Sequence, residues 1–352
     1  MTPADSPPSP DVVAFSDVKP CPDAESAAGA APLSASGPTP GPDAPTGWAT
    51  SLGLAAFLAL SLPLAWLPRP LGLAVGACGG RLYFLANRRR REVAVDNLAQ
   101  ALAAGGLEPG LDPTATARRS FANLGRTAVE SLRLIHRGLA DFEGRWTVLG
   151  AEPIKAYLGG GQAAGRGLII MTAHLGNWEL AGQVVPRELG RPVEVVGRRQ
   201  SAVAERVLVR LRTQGGNGYI SKNGGARAML QALRAGGILG ILYDQAERVG
   251  PGGAPLSFMG RSALTTLGPL KLAARTGARL APLFGRREGG RHVFEFGPLV
   301  EPPPRGDRGR LLEAAQRFND LLAAEVRRRP DQWMWGHRRW KTCETRLAPD
   351  SP

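Results

Sequence analysis

Hydrophobic and polar positions divide the chain into stretches of different kinds. From Gly47 to Pro68 the sequence GWATSLGLAAFLALSLPLAWLP carries no charge. About 20 apolar residues in a helix cover a hydrocarbon layer of ~30 Å. Trp48 and Trp66 stand where interfacial aromatics belong, and Pro63 sits near the end, where a kink is tolerated. Residues 113–138 read as an amphipathic helix, with Phe121, Leu124, Ala128, Leu132 and Ile135 near helical spacing.

Beyond Gly150 short apolar runs alternate with helical patterns. Strands are expected at Gly167–Thr172, Val193–Val196, Ile238–Tyr243, Arg279–Phe284 and His292–Phe296. Helices are expected from about Asn177, and over Ala202–Arg212, Gly225–Ala235, Thr265–Thr276 and Arg308–Arg329. That alternation predicts an α/β fold whose sheet is covered by helices on both faces. No internal repeat is visible.

Composition adds a tail and a strong charge imbalance. Residues 1–45 are rich in Pro, Ala, Ser and Gly and hold six acids against Lys19, a balance of −5. Such a segment buries too little apolar surface to offset its ordering entropy and is expected to be disordered. It also lacks the basic start and apolar core of a signal peptide. The net charge is +14, so the remaining chain carries +19. A body of that kind prefers acidic partners, among them nucleic acid, anionic lipid, phosphorylated ligands or an acidic carrier protein. Its basic residues are nearly all Arg, which follows from a GC-rich genome and also suits bidentate phosphate clamps.

Arg69, Arg81 and the run Arg88–Arg91 follow the apolar segment, while the side before it is acidic. The positive-inside rule then puts the C-terminal body in the cytoplasm. A buried hairpin or a membrane-dipping helix is the other reading of the segment. The expected domains are a tail at 1–45, a transmembrane or anchoring helix at 46–68, a cytoplasmic body at 69–345 and a short tail at 346–352. Cys21, Cys78 and Cys343 form no CxxC, and four His are few, so no metal site or disulfide framework is expected.

The chemistry concentrates in Ile169-Ile170-Met171-Thr172-Ala173-His174-Leu175-Gly176-Asn177-Trp178-Glu179. A hydrophobic strand runs into a His, then Gly-Asn, then a helix. Ligand chemistry in open α/β folds collects at the carboxyl ends of strands, and a His there can take a proton near neutral pH. On one continuous helix, residues five apart lie about 140° apart. His174 and Glu179 therefore meet only if the His occupies the turn and the Glu the first helical turn. Gly176 and Asn177 supply the turn chemistry, and free amides at the helix start offer an oxyanion site. A capped turn residue is the bland alternative for His174. No GxSxG elbow occurs, and GGGQAAGRG lacks the ending of a phosphate loop, so it reads as a turn.

This segment resembles the HxxxxE block of the bacterial lipid A biosynthesis acyltransferases, within the broader lysophospholipid acyltransferase superfamily. The likeness continues through Gly197-Arg198-Arg199, Leu211-Arg212 before Gly215-Gly216, and Gly240-Ile241-Leu242-Tyr243-Asp244-Gln245. It returns in Phe258-Met259-Gly260-Arg261-Ser262-Ala263-Leu264-Thr265, and closes in Pro330-Asp331-Gln332-Trp333-Met334-Trp335-Gly336-His337-Arg338-Arg339-Trp340-Lys341. Together these blocks cover about residues 50–342. Arg199, Met259 and Ala202-Val203 depart from the family's usual Pro, Phe and Asn-Pro, which bears on the acceptor more than on the reaction.

The resemblance implies a mixed sheet flanked by helices behind an N-terminal membrane helix. It also implies an inner-membrane enzyme with its catalytic domain on the cytoplasmic side. The donor would be an acyl carrier protein thioester and the acceptor a hydroxyl of a lipid A precursor, with no cofactor or metal. His174 would be the general base, Glu179 its orienting carboxylate, and transfer would be direct. Arg198 and Arg212 would anchor phosphate or sugar-acid groups, though both also read as solvated charges. Asp244 would support them or cap a helix. The closing Trp-Arg cluster either covers the core or meets lipid headgroups, and His136, His292 and His337 take no catalytic role.

An O-acyltransferase acting on phospholipid or another membrane lipid is the second reading, although no FPEGTR-like block occurs. A membrane-tethered module binding anionic lipid or nucleic acid is the third. The aromatic content of 6% and the lack of a stacking platform argue against nucleic acid.

Overall fold

A computed structural model describes residues 47–160, 166–198, 200–222, 224–246 and 252–340. The tail expected at 1–45, the one at 346–352, and Arg199 lie outside the described residues. Four helices come first: α1 (Trp48–Trp66), α2 (Arg69–Ala86), α3 (Arg88–Ala103) and α4 (Pro113–Arg137). There follow β1 (Trp146–Leu149), α5 (Glu152–Gly159), β2 (Leu168–Thr172), α6 (Trp178–Leu189), β3 (Glu194–Gly197), α7 (Ala202–Thr213) and β4 (Gly218–Ser221). The chain continues with α8 (Ala226–Arg234), β5 (Ile238–Leu242), β6 (Gly253–Phe258), β7 (Arg261–Thr266) and α9 (Gly268–Thr276). It ends with β8 (Arg279–Glu288), β9 (Arg291–Phe296) and α10 (Arg308–Arg328).

Seven strands form one mixed sheet in the order β1-β9-β8-β2-β5-β3-β4. All neighbours run parallel except β8 and β9. That pair is a hairpin turning through Gly289 and Gly290, at φ 53° and 81°, values that glycine adopts without a Cβ penalty. Strand β2 shows why both faces are covered. Its alternate residues Ile169 and Met171 belong to one apolar cluster, with α3, α8, α9 and α10. Leu168 and Ile170 belong to the other, with α4, α5 and α6. A strand buried on both sides loses polar alternation, which is why the sequence reads there as a continuous apolar run.

Two departures from the sequence reading stand out. Thr265 and Thr266 end a strand rather than begin a helix, because β6 and β7 pair as a separate hairpin over Gly253–Thr266. Helices α2 and α3 carry weak periodicity and were not expected. Gly72, Gly76 and Gly80 place α2 against α4 so closely that a Cβ on Gly76 or Gly80 would strike the backbone of Gly125 or Phe121. Backbone proximity, rather than an apolar stripe of large side chains, holds that crossing.

Helix α4 begins as its sequence dictates. Asp112 accepts from the amides of Thr114 and Ala115, and Pro113 occupies the first turn.

Candidate active site

The register of two adjacent parallel strands builds the centre. Thr172 pairs with Leu242, and the amide of Tyr243 donates to the Thr172 carbonyl at 3.0 Å. His174 and Asp244 each lie two residues beyond those partners, so they leave the sheet side by side at its carboxyl edge. The imidazole Nδ1 lies 2.8 Å from Asp244 Oδ1, and the His174 amide donates to Oδ2 at 3.0 Å. Trp333 Nε1 also donates to Oδ2, at 2.9 Å. Asp244 is fully buried. Burial alone would raise its pKa, but the charge and hydrogen bond of His174, with His337 and Trp333, hold it well below the ordinary carboxylate range. An ionised Asp can only accept, so Nδ1 carries a proton, and in the neutral imidazole the lone pair is on Nε2.

Glu179 makes its hydrogen bonds away from the imidazole. Its carboxylate takes a bidentate pair from Arg212, at 2.7 and 3.0 Å, and a third bond from Trp178 Nε1 at 3.0 Å. It lies in the first turn of α6, as expected, but its side chain turns toward α7 while the imidazole turns toward β5. The Trp178 ring stands edge-on to His174, with centroids 5.0 Å apart. Burial would raise the Glu179 pKa; the Arg212 charge and hydrogen bonds outweigh it and leave it lowered. Arg212 is correspondingly held by Glu179, and it also lines the cavity beside His174. Arg198, by contrast, is exposed at the cavity rim.

The turn itself is tied from several sides. Gly176 has φ +63°, and a Cβ there would meet the Gly285 carbonyl. Its amide donates to the Gln332 carbonyl at 3.0 Å, and its carbonyl accepts from Thr127 Oγ1 at 3.1 Å. Asn177 caps α6 by accepting from the Leu180 amide at 3.0 Å, and its Nδ2 donates to Glu130 Oε2 at 2.8 Å. The amides of His174, Leu175, Gly176 and Leu180 are thus all used within the fold. Those four amides are not open to an oxyanion, and Gly176 and the Asn177 side chain shape the turn.

Sequence reasoning missed Glu130. It is buried and also accepts from Arg69 Nη2, Arg287 Nη2 and His292 Nε2, at 3.1, 2.5 and 3.0 Å. Burial would raise its pKa, but Arg287 and His292 hold it well below the usual range. No motif marks it, because its four partners come from α2, the turn before α6, β8 and β9. The closing Trp-Arg cluster also resolves toward the core: Trp333, Trp335, Trp340 and Arg339 are at most 1% exposed. Met334 donates its amide to the His174 carbonyl at 3.1 Å, so this segment buttresses the turn.

His174 opens onto a cavity of about 190 Å³. Leu208, Met229, Ile241 and Leu272 line its apolar part, and Arg198, Lys222 and Gln245 its polar part. Arg212 also borders a second, more apolar recess with Val185, Val193 and Gly240 on the α6 side of the sheet. Among the described residues no three His, Cys, Asp or Glu side chains converge as metal ligands.

The family described as bacterial lipid A biosynthesis acyltransferase matches residues 40–342. The chain belongs to that family. It is an acyltransferase of the lipid A or phosphatidylinositol mannoside type. A phosphatidylinositol mannoside acyltransferase of Mycolicibacterium smegmatis is 26% identical over 296 residues, covering 84% of this chain and 92% of the relative. That of Mycobacterium tuberculosis is 28% identical over 253 residues, covering 69% and 75%. The lipid A biosynthesis palmitoleoyltransferase of Escherichia coli is 28% identical over 183 residues, covering 51% and 58%.

Proposed function

We propose that the protein moves a fatty acyl chain from a carrier-bound thioester, with an acyl carrier protein as donor, to a sugar hydroxyl of an anionic glycolipid. The observation that carries this reading is the His174–Asp244 pair at the head of a cavity that is apolar below and basic at its rim. Nε2 takes the proton of the acceptor hydroxyl. The oxygen attacks the thioester carbonyl, the tetrahedral intermediate expels the thiolate, and the imidazolium returns its proton to sulfur. One ester forms, one thioester breaks, and neither an acyl-enzyme nor a metal enters. Asp244 fixes the tautomer and stabilises the cation. The acyl chain lies among Leu208, Met229, Ile241 and Leu272, and Arg198 meets a phosphate or acidic sugar at the rim.

A lipid A precursor and a phosphatidylinositol mannoside share that acceptor chemistry, a hydroxylated sugar beside a phosphate, and the relatives' names support both. Purified enzyme given an acyl carrier thioester with each acceptor, read by intact-lipid mass, tests the reading. Acylated product with either acceptor supports it and assigns the class. A stoichiometric acyl adduct on the protein when acceptor is omitted would overturn direct transfer.

A further inference from the structure

The loop that bears His174 is tied to α4 and β8 at one buried junction. Thr127 and Glu130 lie three residues apart on one face of α4 and meet two successive loop residues. Thr127 Oγ1 donates to the Gly176 carbonyl at 3.1 Å, and Asn177 Nδ2 donates to Glu130 Oε2 at 2.8 Å. Arg287 of β8 completes the junction, its Nη2 donating to Thr127 Oγ1 at 2.8 Å and to the same Oε2 at 2.5 Å. The Arg287 amide donates to Gln332 Oε1 at 2.7 Å, and Gln332 Nε2 donates to the Arg287 carbonyl at 3.0 Å. The Gln332 carbonyl in turn accepts from the Gly176 amide. Two straps on the loop, Asn177 and Gln332, therefore meet at Glu130 and Arg287.

The two oxygens of Glu130 divide their partners. Oε2 takes Asn177 and Arg287, whereas Oε1 takes Arg69 of α2 and His292 of β9. Asn177 shows why the first set matters. It is fully buried, and its Oδ1 is committed to the Leu180 amide as the cap of α6. With that orientation fixed, Nδ2 needs an acceptor that bulk water does not supply, and Glu130 provides it. Without Glu130 the carboxamide either strands its Nδ2 or turns over and gives up the cap. Both responses disturb a residue only three positions beyond His174.

We infer that Glu130 is a positioning residue for His174: through Asn177 it fixes the loop that holds the imidazole against Asp244. The inference rests on the proposed reaction only in taking His174 as the base. A buried carboxylate that merely neutralises Arg69, Arg287 and His292 would act on stability alone. The two roles are separable because Arg69 and His292 bond the oxygen that Asn177 does not.

Variants of the full-length protein test this. Glu130→Gln removes the charge at nearly equal size, and Asn177→Ser keeps a capping oxygen for α6 but has no amide to donate. Each should lower kcat about tenfold or more at unchanged KM, measured well below its own melting midpoint, because a misplacement of ~1 Å can cost ~10²-fold. Combined, they should cost little more than either alone, since both cut one link. Glu130→Gln/Asn177→Asp reverses that link: the new amide donates to the new carboxylate, whose other oxygen caps α6. It should recover most of the lost kcat. Arg69→Met removes a donor from Oε1 only, so it should lower the midpoint and leave kcat unchanged. The proton on His174 Nδ1, identified in the NMR spectrum by its loss in His174→Ala, should move upfield in Glu130→Gln and Asn177→Ser but not in Arg69→Met. With His174→Ala impaired, full kcat in Asn177→Ser, multiplicative losses in Glu130→Gln/Asn177→Ser, or an equal loss in Arg69→Met would each overturn the inference. Asn177→Ser decides it even where Glu130→Gln does not fold. The proton signal needs no acyl transfer: full turnover by His174→Ala with the shift present keeps the positioning role and overturns the reaction, and an unmoved proton overturns the positioning role.

Discussion

Asp244 grips His174 twice, through the ring Nδ1 at 2.8 Å and through the backbone amide at 3.0 Å. One carboxylate therefore sets both the tautomer of the imidazole and the position of the chain that bears it. The Trp333 indole on the same oxygen that takes the amide leaves Oδ1 to the ring alone.

That division of labour makes Asp244→Asn informative. The amide oxygen can replace Oδ2, accepting from the His174 amide and Trp333, which turns the NH₂ toward Nδ1. Nδ1 must then accept, the proton moves to Nε2, and the proposed general base is lost. Turnover should fall about 10²–10⁴-fold with little change in folding, measured by steady-state rates beside thermal melts.

Arg212 makes a different prediction from the clamp expected of it. Because it and Glu179 are a buried bidentate pair, Arg212→Ala leaves a buried carboxylate uncompensated. Removing one partner of such a pair costs about 3–5 kcal/mol, so the melting midpoint should drop by roughly 10 °C. Glu179→Leu/Arg212→Met should recover much of that loss. A raised acceptor KM at unchanged midpoint would restore the clamp role.

These two cases show what the sequence could and could not convey. The β-strand at Ile238–Leu242 and the helix after Asn177 were legible because each is a local periodic pattern. His174 stood out as a strand-end histidine. Its partner did not: the HxxxxE resemblance pointed to Glu179, five residues away, whereas the bond goes to a residue 70 positions on. Only the Thr172–Leu242 register brings His174 and Asp244 together, and strand register is a tertiary fact. Glu130 was invisible for the same reason. Helix α2 was missed because its buried face is glycine, which carries no hydrophobic signal.

His337 predicts a pH dependence of stability. Burial, opposed by the Asp244 charge, lowers its pKa to about 4 in the folded protein. An unfolded His takes up its proton near 6.5. Between those values the unfolded state binds more protons, so stability is intact above pH 6.5 and falls as pH drops toward 4. From pH 7 to pH 5 the loss should be on the order of 2 kcal/mol. His337→Asn keeps a donor for the Met334 carbonyl, bound at 2.6 Å in the wild type, and should flatten that slope in urea titrations.

The division between the two carboxylates is tested by combining variants. If His174 and Asp244 act as one unit, His174→Ala should lower turnover about 10²–10⁴-fold, and adding Asp244→Asn should cost little more, since residues acting together are non-additive. Glu179→Gln loosens the Arg212 pair, and it reaches the imidazole only through the lost charge, with no hydrogen bond between them. Its effect should therefore appear mainly in the melting midpoint, and its effect on turnover should multiply with that of Asp244→Asn. The measurement is kcat and midpoint for the three single and two double variants with one acceptor. Near-additive loss for His174→Ala/Asp244→Asn, or non-additive loss for Asp244→Asn/Glu179→Gln, would return Glu179 to the proton-transfer pair.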